Sequence, residues 1–171
     1  MDEQWKEALS GFETVWQRVS RMEAAEELPQ NQQFELAENS KTKSVPMEHM
    51  MDAEANARQW YAAAAARTER RSGELLRHLA EDSGKSLKLL QTEYFLLQGD
   101  TWIPRKQPVP AAGTLDCLRR IYLEEQHLQG LYRYAVNTEV NETLRGLYEE
   151  LERRCAGRMK TLRSLIQRVL G

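Results

Sequence analysis

The sequence predicts an all-α protein. Ala and Leu together outnumber Val and Ile roughly four to one, a bias toward good helix formers and away from the β-branched residues that strands favour. Apolar residues recur three or four apart along most of the chain, the spacing of one helix face. Prolines and glycines punctuate these stretches where helices would end.

The elements follow in order. Trp5, Leu9, Phe12, Val15, Trp16, Val19 and Met22 form one stripe, predicting an N-terminal helix that ends before Pro29. The stretch QNQQFELAENSKTKS has no period, so residues 29–45 are expected to be a polar linker and 46–171 the main domain. Pro46 opens a helix where its missing N–H costs nothing, and this helix is expected to run to about Thr68. A break at Arg70 to Gly73 leads to a second helix, Glu74 to Gln98. A third is expected from a Thr114 N-cap to about Asn137, and a fourth, capped by Asn137 or Thr138, almost to Gly171.

Connection lengths predict the topology. Short first-to-second and third-to-fourth links make each pair an antiparallel hairpin. The link from Gly99 to Gly113 carries Pro104, Pro108 and Pro110, and at ~3.3 Å per residue it can run the length of a bundle. The expected architecture is a four-helix bundle of two hairpins joined by one long crossover, plus the N-terminal helix.

Composition narrows the function. With 24 Lys and Arg against 26 Asp and Glu, and a pI near 6.0, the whole chain lacks the electrostatic footprint of a nucleic-acid binder. No window approaches the ~20 apolar residues of a membrane span, and MDEQWKEALS lacks a signal peptide's apolar run. Cys117 and Cys155 are too few for a disulfide framework or a zinc site. We therefore expect a soluble cytoplasmic protein, with no nucleic-acid or membrane partner and with a homodimer as its assembly.

Polar residues interrupt the interior stripes. The fourth helix reads Leu144, Tyr148, Leu151, Cys155, Arg158, Leu162, Leu165 and Val169, with Arg158 in an otherwise apolar seam. The second reads Leu76, Leu79, Ser83, Ser86, Leu90, Tyr94 and Leu97, with two serines in place of leucines. Met50, Glu54, Ala57, Tyr61 and Ala64 line the first; Leu118, Ile121, Glu125, Leu128, Tyr132 and Ala135 line the third. The halves form an internal repeat: Glu54 matches Glu125, Tyr61 Tyr132, Leu79 Leu151, Ser83 Cys155 and Ser86 Arg158.

On these residues, and on LLQTEYFLLQGDTW at the end of the second helix, the chain resembles the ferritin-like superfamily, in particular its rubrerythrin-like branch, over residues 47–170. The resemblance implies a centre of two iron or manganese ions, held by a Glu from the first helix of each half and a Glu-x-x-His pair from the second. Carried over by position, Glu54 and Glu125 remain. The pairs have become Ser83-x-x-Ser86 and Cys155-x-x-Arg158. Hydroxyls bind these ions poorly and a guanidinium repels them. The expectation is a vestigial di-metal centre with no bound metal or other cofactor, in a non-catalytic protein with a structural or interaction role. The competing expectation is a rubrerythrin-like oxidoreductase acting on peroxide or oxygen with substituted ligands.

Two carboxylates in a dry bundle need a compensating cation. Arg158 is expected to bridge Glu54 and Glu125, with Ser83 and Ser86 adding hydrogen bonds. Tyr61 and Tyr132 read as flanking core tyrosines. Cys155 reads as a small buried hydrophobe, the alternative being a redox thiol. His49, His78 and His127 fall beside the seams and read as surface residues. An off-register metal site would combine Glu54 and Glu125 with His78, Glu81, Asp82, His127 or Glu150. Arg153, Arg154, Arg158, Lys160, Arg163 and Arg168 suit the C-terminal half of a helix, where cations offset the macrodipole.

Overall fold

Residues 46–111 and 113–170 are described by a computed structural model, and all of them belong to one unit, Thr42–Gly171. The N-terminal helix and linker expected over 1–45 lie outside the described residues. Four helices make up the unit: α1 (Met47–Ala65), α2 (Arg70–Gln98), α3 (Thr114–Thr138) and α4 (Glu142–Leu170). Among the described residues no helix is long and apolar enough to cross a membrane.

α1 packs on α2 and α3 on α4 as the two hairpins; α1 also packs along α3, while α2 and α4 touch more sparingly. The first hairpin turns at 66–69, earlier than the expected break at Arg70 to Gly73. Gly73 lies inside α2, its N–H donating to Glu69 O at 2.7 Å. A Cβ there would stand 2.9 Å from Ala65 O, so the glycine serves close approach of α2 to the end of α1 and does not break the helix. α2 stops at Gly99, whose φ of 69° is the left-handed cap an L side chain resists.

The second hairpin corrects another expectation. The cap of α4 is Asn141, neither Asn137 nor Thr138: its Oδ1 accepts from the N–H groups of Thr143 at 3.0 Å and Leu144 at 3.2 Å. At the start of α3, Gly113 occupies the cap position and Thr114 is the first helical residue.

The crossover is tied to α1 along its course. Asp52 Oδ1 accepts from Trp102 Nε1 at 2.9 Å and from Arg105 N–H at 2.8 Å. Asn56 clamps the next stretch, accepting from Gln107 N–H at 2.7 Å and donating to Arg105 O at 3.3 Å. Arg67 then donates to Pro110 O. The link thus climbs from the first turns of α1 to beyond its last, and delivers the chain to the start of α3.

The interior stripes are buried as the spacing requires, apart from the ends. Val169 and Leu97, the last members of the α4 and α2 stripes, are exposed. Met50, Met51, Leu90, Leu128 and Leu151 form an apolar layer below the middle of the bundle, and Leu76, Leu118, Ile121, Leu162 and Leu165 are buried in its upper half. A polar layer is enclosed between them.

Candidate functional site

Every helix contributes to this layer. Its position follows from the stripes: Glu54 and Tyr61 are two helical turns apart on α1, and Glu125 and Tyr132 repeat that arrangement on α3. Each tyrosine reaches across to the other helix's acid. Tyr61 donates to Glu125 Oε1 at 2.8 Å and Tyr132 to Glu54 Oε1 at 2.7 Å. All four side chains are fully buried.

Arg158 projects from α4 between the two acids and is 2% exposed. Its Nε donates to Glu125 Oε1 at 2.8 Å and its Nη2 to Glu125 Oε2 at 3.0 Å, a two-pronged pairing. The same Nη2 reaches Glu54 at 3.0 Å and 3.2 Å. Nη1 turns to α2, donating to Asp82 Oδ2 at 3.0 Å and, more weakly, to Ser86 Oγ at 3.4 Å. The structure therefore brings Glu54, Tyr61, Ser86, Glu125, Tyr132, Cys155 and Arg158 into one network.

Ser83 departs from expectation. It is fully buried, yet its hydroxyl has no hydrogen-bond partner among the described residues. Asp82, one position along, takes the guanidinium's third edge in its place. Arg154 also reaches Asp82, at 3.5 Å, while bonding Glu150 at 2.8 Å. This chain of ions links the dry centre to the surface, since the Asp82 and Arg154 side chains are about one-third exposed. Sequence reasoning placed Asp82 only among off-register metal ligands. The signal for its actual role was its place at the edge of the serine stripe, within reach of a long side chain from α4.

Burial and pairing set the protonation states. Burial pushes the Glu54 carboxyl up to about 7, with Arg158 pulling it down and Glu125 pushing it further up. One guanidinium cannot neutralise two buried carboxylates, and of its nitrogens Glu54 receives only the shared Nη2, beside the Tyr132 hydroxyl. Burial works against the charge on Arg158, but Glu54 and Glu125 outweigh it and hold the cation. Tyr61 and Tyr132 are raised well above the usual phenol range, by burial first and then by the acid each one bonds. Both hydroxyls remain donors.

The Cys155 thiol donates to Glu125 Oε2 at 2.9 Å and lies 3.1 Å from Glu125 O. Burial first, and the Glu125 charge second, push it far above the usual thiol range. Thiolate is the reactive form, so this geometry opposes nucleophilic or redox chemistry at Cys155. Cys117 is buried and unbridged, and it too is raised by burial.

A pair of metal ions does not fit this arrangement. The carboxylate oxygens of Glu54 and Glu125 already accept from Arg158, the tyrosines or Cys155, and the space between them holds a fixed cation. Nor do the off-register candidates converge: His78 and His127 are exposed, His78 pairs with Glu81, and Glu150 pairs with Arg153 and Arg154; His49 is exposed as well. Among the described residues no three of His, Cys, Asp and Glu are grouped to hold a metal ion.

No protein-family model, curated protein or solved structure matches the chain.

Proposed function

We propose that this is a ferritin-like bundle whose centre holds an internal arginine in place of ions, and that its role is non-catalytic, structural or in interaction, in the cytoplasm. One observation carries the reading. The fully enclosed Arg158 guanidinium bonds both Glu54 and Glu125, the two residues that the resemblance assigns to metal. The crossed Tyr61–Glu125 and Tyr132–Glu54 bonds support it, because they relate the two halves as a repeat.

Function then has to come from the surface or from the rigidity of the scaffold. The buried centre offers no nucleophile: the thiol and both phenols are held protonated, and the acids are occupied by donors.

Metal analysis of the full chain, expressed in iron- and manganese-supplemented medium, tests this against the di-metal oxidoreductase. The expected result is less than one tenth of an equivalent of bound metal per chain, on the order expected for adventitious binding, and no peroxide or oxygen consumption. About two equivalents per chain would overturn it. A second arm installs Ser83→Glu, Ser86→His, Cys155→Glu and Arg158→His together. Gain of metal by that folded variant supports the alignment with the ferritin-like pattern, and its absence opposes it.

A further inference from the structure

The topology gathers like charges at opposite ends of the bundle. At the lower end α1 and α4 begin and α2 and α3 finish. Glu48 on the first turn of α1, Glu93 near the end of α2, Glu139 in the α3–α4 link, Glu142 at the start of α4 and Asp100 just past α2 gather there, and these acids outnumber Arg133 and Arg145. At the upper end α2 and α3 begin and α1 and α4 finish. Arg67, Arg70, Arg71, Arg119, Arg120 and Arg168 are all exposed and outnumber Glu69, Glu74 and Asp116. The near-zero net charge of the chain hides this separation.

The lower end is also apolar. Leu96 is 70% exposed and Val140 89%, alongside the half-exposed Phe95, Leu97 and Tyr134. They sit on the last turn of α2, the end of α3 and the α3–α4 link. Scattered apolar residues need no explanation, but a group at one end of a bundle marks a contact surface. At the upper end Val169 and Leu170 are exposed, and the surrounding arginines carry apolar stems that can cover such a surface while their heads meet acids.

We propose that a second copy of this chain binds here, head to tail, with the acidic apolar lower end of one molecule seated on the basic upper end of the next. Charge complementarity selects this partner. Two lower ends would oppose acid to acid and two upper ends arginine to arginine, so a symmetric contact through either end is repelled. Each molecule carries both halves of the interface, and the contact is heterologous: it closes into a ring or propagates. The inference is independent of what occupies the bundle centre.

Sedimentation of the full chain over a concentration series tests it, using two surface variants. Leu96→Glu with Val140→Glu breaks the lower end; Arg70→Glu with Arg71→Glu breaks the upper. Both alter exposed positions, and unchanged circular dichroism melts establish that they fold. The parent chain is expected to associate with rising concentration and to dissociate at about 1 M salt, where the screening length falls to about 3 Å. Each variant alone is expected to be monomeric. Mixed, they are expected to form a 1:1 complex, because each retains the end the other lacks. A monomeric parent at every concentration, association of either variant by itself, or no complex in the mixture would overturn the proposal.

Discussion

Arg158 is the residue on which the interior depends. Removing it as Arg158→Leu strands Glu54 and Glu125 in the core, and the expected cost is ~3 kcal/mol in urea denaturation at neutral pH. Because the acids can protonate once the cation has gone, that cost should shrink as the pH is lowered. Glu54 gives the parent protein its own pH dependence. Its carboxyl ionises near 7 when folded and near 4.5 when unfolded, so between those values the folded state holds the extra proton. Its contribution to stability is therefore complete below about 4.5 and is lost as pH rises through 7. Glu54→Gln should flatten this part of the stability profile, and an unchanged slope would mean that another group titrates there. Tyr132→Phe removes a bond to a buried acid and should cost ~2 kcal/mol. What the sequence disclosed at this scale was a break in pattern: one arginine and two glutamates at positions that should be apolar. It did not disclose Asp82. A stripe identifies residues pointing inward, whereas Asp82 sits at the margin and is recruited by the reach of Arg158.

At the scale of the helices, the three- and four-residue spacing exposed the interior faces because burial alone sets it. Helix ends were harder to read, since they depend on single contacts. Gly73 looks like a helix breaker in sequence and is a packing glycine in the fold, accommodating Ala65 O. Asn141 lies three residues past the end of α3, and only the fold shows its side chain folding onto the first turn of α4. These roles separate on mutation. Gly73→Ala should destabilise by more than ~1 kcal/mol despite the better helix propensity of alanine, because the backbone must shift. Gly146→Ala, where a Cβ meets nothing within 4 Å, should stabilise by ~0.5–1 kcal/mol. Thermal melts of the two variants moving in opposite directions would bear this out; equal shifts would contradict it.

For the whole molecule, connection lengths were enough to predict two hairpins and a long link. How that link attaches to α1, through Asp52 and Asn56, was not legible, because neither falls on the stripe of Met50, Glu54, Ala57, Tyr61 and Ala64. The separation of charge between the ends was hidden for a related reason: it emerges only when antiparallel helices place distant segments side by side. A high-resolution crystal structure of protein grown with iron and manganese, with anomalous data collected above both absorption edges, tests whether the arginine occupies the centre. Planar guanidinium density between Glu54 and Glu125 and no anomalous peak are expected. An anomalous peak between those acids, or Arg158 turned out to solvent, would contradict that arrangement.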